Sequence, residues 1–176
     1  MRRAMAVLGL AASAAVAAAQ PPPATPSPEH KKLQYFAGKW NIDGEMKSTP
    51  MGPGGKMTAS ETCEWFATAG FHLVCNSSGT NPLGPTRGLS ILGYSTETKG
   101  YTFYGIDRTG WADSAKGSLE GDTWTWTSEG TMGGQSLKSR YIIKELTPDS
   151  YTFRAELSVA GGPFTLMFEG KQTRAK

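Results

Sequence analysis

The sequence predicts an all-β protein: a single antiparallel up-and-down β-barrel of about ten strands with one short N-terminal helix, preceded by an export leader. Two observations lead there. From Lys39 onward, short runs rich in Thr, Val, Ile and aromatics alternate with clusters of Gly, Pro, Asn and Asp. The composition, with 22 Gly, 11 Pro and 18 aromatics in 176 residues, suits many short strands joined by turns, and the length suits one well-buried core.

The chain opens with Arg2 and Arg3, followed by an apolar run from Ala4 to Ala19 that ends in small residues. That is the pattern of a secretory signal peptide, with cleavage after Ala19. The run is poor in strongly apolar residues and shorter than the roughly 20 needed to cross a bilayer, so a stable membrane anchor is not expected. The arginine pair lacks the flanking residues of a twin-arginine signal, which favours general secretion. No Cys lies near the cleavage site, so lipid anchoring is not expected either, and the product is read as periplasmic or secreted. Removing Arg2 and Arg3 from the 18 basic residues leaves 16 against 15 acidic, a balance of +1. A nearly neutral chain without a basic cluster argues against nucleic acid and against an anionic membrane surface as partners.

The predicted division is therefore a signal peptide over 1–19, a linker over 20–28 and a barrel domain over 29–176. Five of the nine linker residues are proline, which blocks helix and strand alike. Ser27, Pro28 and Glu29 then supply a cap, a first-turn proline and an early acid, while Leu33, Phe36 and Ala37 fall at helical spacing. One short helix from Pro28 to Phe36 is expected, ended by Gly38. Beyond it, breaks fall at 49–55, 68–70, 79–85, 96–100, 107–110, 120–122, 132–134, 147–149 and 160–163. Short breaks favour hairpins, and a twisted meander of this many strands removes its exposed edges by closing.

Period-2 alternation assigns the faces. Trp124 and Trp126 share one face, as do Leu137, Tyr141 and Ile143, then Tyr151, Phe153 and Leu157, then Phe164, Leu166 and Phe168. Charged and hydroxyl residues occupy the alternate positions, so the apolar sets are expected inside.

At Leu33 to Trp40, Leu-Gln-Tyr-Phe-Ala-Gly-Lys-Trp resembles the helix-then-Gly-x-Trp opening of the calycins, the lipocalin and fatty-acid-binding-protein superfamily. In those proteins the Trp closes one barrel end. Residues 61–66, 88–94, 104–107 and 121–126 resemble a narrower group, the bacterial domain of unknown function 1579, over roughly residues 29 to 174. The resemblance implies a calycin-like barrel and carries no catalytic role. Nitrobindin-like barrels have a related layout and hold haem through a late histidine, but here the only histidines are His30 and His72, so no haem or other cofactor is expected.

Cys63 and Cys75 are centred on residue 69, inside the predicted 68–70 break. A symmetric hairpin would set them opposite each other, and an oxidising compartment would bridge them, with Cα atoms about 4.4 to 6.8 Å apart. Two thiols without nearby His or further Cys make a poor metal site, so no metal is expected.

Trp40, Trp65, Trp111, Trp124 and Trp126, with Tyr101, Phe103 and Tyr141, offer more aromatic area than closure of a small barrel requires. With the resemblance, they suggest an interior cavity of at least a few hundred Å3 for a small hydrophobic molecule, lined by Trp65, Phe103, Trp124, Trp126 and Tyr141. The plain alternative is that the rings fill the core. Glu61 shares parity with Cys63 and Trp65, which puts a carboxylate on the inner face. Arg87, Arg140 or a tyrosine hydroxyl is its expected partner, and a ligand head group or a structural ion pair are its two expected uses. His72 is expected at the surface and Asp107 in a turn. The chain contains no Gly-x-Ser-x-Gly, His-Glu-x-x-His, phosphate-loop or dinucleotide motif, so no catalytic residue is assigned. Three functions remain: a carrier or sensor of a hydrophobic molecule, an envelope interaction module with a packed core, and an enzyme that moves a proton with a pocket carboxylate.

Overall fold

The computed structural model describes residues 25–176. The predicted signal peptide and linker positions 20–24 lie outside the described residues. Helix α1 (Pro28–Lys32) passes directly into a 3-10 turn, η1 (Leu33–Phe36), so the expected helical span is present with a tightened second half. Ser27 caps it together with His30, whose Nδ1 accepts from the Ser27 N–H at 3.1 Å. Gly38 ends the turn at φ +113°, a conformation that favours glycine.

Ten strands follow: β1 (Gly38–Met46), β2 (Gly55–Trp65), β3 (Leu73–Asn81), β4 (Gly84–Ser95), β5 (Gly100–Asp107), β6 (Ala112–Glu120), β7 (Thr123–Met132), β8 (Gln135–Thr147), β9 (Ser150–Val159) and β10 (Thr165–Arg174). Each pairs antiparallel with its sequence neighbours, and β1 pairs with β10 to close the barrel. Every predicted break coincides with a strand connection. The β2–β3 turn is longer than the expected three residues, because both strands stop early by equal amounts. The register is unchanged by that symmetric shortening, and Cys63 lies directly opposite Cys75.

The two sulfurs are bonded, with the Cα atoms 4.0 Å apart. This is closer than expected; directly opposed antiparallel residues that exchange no ladder hydrogen bonds approach to about 4.5 Å. Because the bridge closes a short loop, Cys63→Ser is expected to cost on the order of 3 kcal/mol, read as a lower urea midpoint. Thiol labelling of both residues in the native oxidised protein would refute the pairing.

The alternation fails at one place. A register shift between Leu166 and Phe168 makes Leu166 face Glu156, while Phe168 faces Ala155. The extra residue, Met167, reverses the parity upstream, so Phe168 points inward and Leu166 outward. Phe164 is also outside, exposed and covered by the Arg140 guanidinium at 4.1 Å. Arg140 is paired with Glu156 on the same outer face.

The core sits at one end. Trp40, 1% exposed, donates its Nε1–H to the Phe36 carbonyl at 2.8 Å, and Arg174 stacks on its ring at 4.3 Å. Arg174 also donates to the carbonyl of Ala37 (2.7 Å) and to Asp149 (2.8 Å), tying the last strand to the helical turn. Leu33, Phe36, Leu73, Tyr101, Trp124 and Tyr151 are all buried in this plug.

Candidate functional site

The inward positions change character along the barrel. At the helix end most are buried, namely Cys63, Cys75, Leu92, Tyr101, Trp124, Ile143 and Tyr151, while Trp65, Tyr94, Leu119 and Glu145 are partly accessible. Toward the other end the inward residues of the same strands stay partly accessible: Ala59 and Glu61 on β2, Ser77 on β3, Ser90 on β4, Ala115 on β6, Ser139 and Tyr141 on β8, and Ala155 on β9. Partial exposure at these positions marks a less tightly filled interior, and at Ala59 the residue is also reached from the outer wall. The interior thus divides into a packed plug at the helix end and a less completely filled half, the cup, at the other.

Small residues make the room. A Cβ on Gly117 would lie 2.5 Å from the Trp126 ring, and one on Gly105 would lie 2.7 Å from the Phe103 ring. Both rings thus lie flat along the wall instead of crossing the lumen. Phe153 lies in the same way over Gly44 and Gly170. Around the open rim, Met51, Leu83, Ile106 and Trp111 are exposed.

Glu61 is the principal polar group in the cup. It lies opposite Trp40 on β1 and Ser77 on β3, so it points inward as its parity requires. None of its expected partners reaches it. Arg87 has outward parity and is exposed, Arg140 is engaged by Glu156, and Tyr141 forms no hydrogen bond with it. Among the described residues, Glu61 has no salt-bridge or hydrogen-bond partner. Burial pushes its pKa from the ordinary 4.5 up to about 7. Burial, with a smaller contribution from the Glu61 charge, also raises Tyr141 and Tyr151, so both stay protonated phenols.

Of the rings expected to line a single cavity, Phe103 and Tyr141 border the cup. Trp126 lines the wall at the boundary between cup and plug. Trp124 is in the plug, fully buried, packed on Tyr101 at 4.7 Å and donating to Glu145 at 2.7 Å. Trp65 lies at the helix end, where its Nε1–H meets Gln34 at 2.8 Å beside a surface hollow of about 320 Å3. Trp111, on the β5–β6 turn, is 52% exposed, and its ring comes within 3.7 Å of a Cβ placed on inward-facing Gly105, so it sits at the mouth of the barrel and not deep within it. A shallow depression of about 480 Å3 lies elsewhere, lined mainly by the outer-face residues Thr58, Ser60, Ser78 and Thr80.

A second carboxylate went unrecognised in the sequence. Asp113 shares parity with Ala115, Gly117 and Leu119, and that alternation was its available signal. It accepts from the Ser128 hydroxyl at 2.8 Å, and Ser128 contacts Ser139 at 2.7 Å. Asp107 and His72 are where they were expected. Asp107 holds the β5–β6 turn through the Thr109 hydroxyl (2.6 Å) and backbone N–H (2.8 Å), and His72 is exposed. The Glu61 carboxylate and the two cysteine sulfurs lie within 4.8 Å of one another, but the sulfurs are bonded to each other and offer no thiolate to a metal.

A closed antiparallel barrel plugged at one end by a helical turn has a calycin-like fold. The chain belongs to the family described as protein of unknown function DUF1579, whose pattern it matches over residues 25–174. No curated protein matches it in sequence. Among solved structures it is similar to Rv2717c from M. tuberculosis, with a TM-score of 0.60 at 13% identity over 85% of this chain and 99% of that one. It is also similar to the S-type phycobiliprotein lyase CPES from Guillardia theta, with a TM-score of 0.58 at 10% identity over 84% and 93% of the two chains. At these identities the likeness is one of fold.

Proposed function

We propose that the protein is an exported carrier or sensor that holds a small, largely apolar molecule in the cup. Its apolar part would lie against Phe103, Tyr141 and Phe168, and its polar end would reach Glu61. The observation that carries this reading is the partial accessibility of the inward residues beyond the plug. A barrel evolved only as a packed core would bury those positions, since protein interiors fill their space closely. A further support is the lone Glu61 carboxylate, because an inward charge without a partner is a cost that a ligand can offset.

The apolar segment at Ala4 to Ala19 supports export, and the Cys63–Cys75 bridge fits an oxidising compartment. The exported chain is expected to begin at Gln20, which its intact mass checks; a product retaining Met1 to Ala19 contradicts export. Ligand binding is checked with the neutral fluorophore N-phenyl-1-naphthylamine. Saturable enhancement of its emission, with quenching of tryptophan, is expected. A flat titration, together with native protein from which mass spectrometry recovers no small molecule, contradicts the carrier reading.

A further inference from the structure

The charge pattern of the cup points to a ligand class. Among the described residues of inward parity on the ten strands, the only Lys, Arg or His is Arg174, and it is committed to the plug through Trp40, Ala37 and Asp149. The cup itself presents the carboxylates of Glu61 and Asp113, with Asp107 of the same parity held in the β5–β6 turn at the rim, and the hydroxyls of Ser77, Ser90, Ser128 and Ser139. The Tyr141 phenol can donate or accept, Asn81 and Thr86 add neutral polar groups toward the rim, and aromatic faces from Phe103, Trp126 and Tyr141 complete the wall. Such a lumen has acceptors and π-faces for a cation and no counter-charge for an anion.

We infer that the cup selects an apolar molecule bearing a protonated amine, with the ammonium group seated at Glu61. This rests on the ligand-binding reading above and narrows it. A carboxylate-headed amphiphile would place two like charges together in a confined space, whereas an ammonium would complete the ion pair that the protein leaves open. Asp113 is already hydrogen-bonded by Ser128, so Glu61 is the free acceptor.

The site should titrate. The groups facing Glu61 are the Trp40 ring, the Ser77 hydroxyl, the Cys63–Cys75 bridge and the phenols of Tyr141 and Tyr151; the other inward-parity carboxylates are Asp113, Asp107 at the rim and Glu145, which is held by Trp124 in the plug. The phenols stay neutral, so Glu61 governs the change in charge near neutrality. Affinity for a permanent cation is expected to rise as pH increases through about 7, the value to which burial raises Glu61.

The test is competition against N-phenyl-1-naphthylamine by three twelve-carbon amphiphiles, dodecylammonium, dodecanol and dodecanoate, near pH 8 and below their micellar concentrations. The expected order is dodecylammonium first, at a concentration about tenfold or more below dodecanoate, a ratio that corresponds to ~1.4 kcal/mol. Glu61→Gln should remove most of that ratio while the neutral alcohol competes as before. With dodecyltrimethylammonium, the affinity should rise from mildly acidic to mildly basic pH in the parent protein and be flat in the variant. Equal competition by all three amphiphiles, or preference for dodecanoate, overturns the inference while leaving a hydrophobic site standing. Absence of fluorophore binding overturns both the inference and the carrier reading.

Discussion

Glu61→Gln should make the protein more stable near pH 8 and leave its stability nearly unchanged near pH 4. The folded protein holds the Glu61 proton up to about pH 7, whereas an ordinary carboxyl releases it near 4.5. Between those values the folded chain binds more protons than the unfolded chain, so the stability of the parent falls as pH rises through that window. Above it, the full cost of an ionised, unpartnered carboxylate is present. Glutamine keeps the shape and never ionises. The gain is therefore absent below the window and complete above it, with an upper limit of ~3 kcal/mol set by the size of the shift. Thermal midpoints of the two proteins across the pH range check this. A variant less stable than the parent near pH 8 would mean that the carboxylate has a stabilising partner. Stabilisation by removing a native side chain is expected where that side chain serves binding at the expense of folding.

The opposite result is expected at the plug. Trp124→Ala should lower stability by roughly 3 to 5 kcal/mol, because it opens a large void in a packed region. It would also leave Glu145 without the indole N–H that it now accepts at 2.7 Å. Phe103→Ala, in the accessible half of the lumen, should cost far less stability and instead weaken fluorophore binding. Denaturant midpoints and fluorophore affinities, measured on both variants, separate the two roles. If Trp124→Ala were mild and Phe103→Ala severe, the positions of plug and cup would be reversed.

How much of this was legible in the sequence follows from the range of the interactions involved. Turn chemistry and period-2 alternation are local, so every strand connection, the helical start at Pro28 and the pairing of Cys63 with Cys75 could be read without coordinates. The hairpin midpoint at residue 69 fixed the cysteine register even though the turn is longer than expected. Parity also placed Glu61 inside. It misled at Phe164 and Leu166, because the bulge at Met167 leaves no distinctive residue type to announce it.

What alternation cannot supply is height along the barrel axis. Trp124 and Phe103 both have inward parity, yet one is sealed in the plug and the other borders the cup. That difference depends on strand stagger and on where the helical turn enters, which are properties of the closed sheet. Partners separated by long stretches of chain were equally out of reach. The Arg174 clasp on Trp40 joins the two ends of the barrel sequence, and the lack of a cation near Glu61 among the described residues emerges only when all ten inward faces are assembled.

The central claim, that the barrel is hollow beyond its plug, is tested most directly by filling the space. Ser90 points into the cup between Cys75 on β3 and Gly105 on β5 and remains partly accessible. Ser90→Phe is expected to fold with a thermal midpoint within a few degrees of the parent and to lose binding of N-phenyl-1-naphthylamine. A packed interior would instead have to be forced apart, at a typical cost of about 1 to 3 kcal/mol. A Ser90→Phe protein with a clearly lowered midpoint and fluorophore binding equal to that of the parent would contradict the claim.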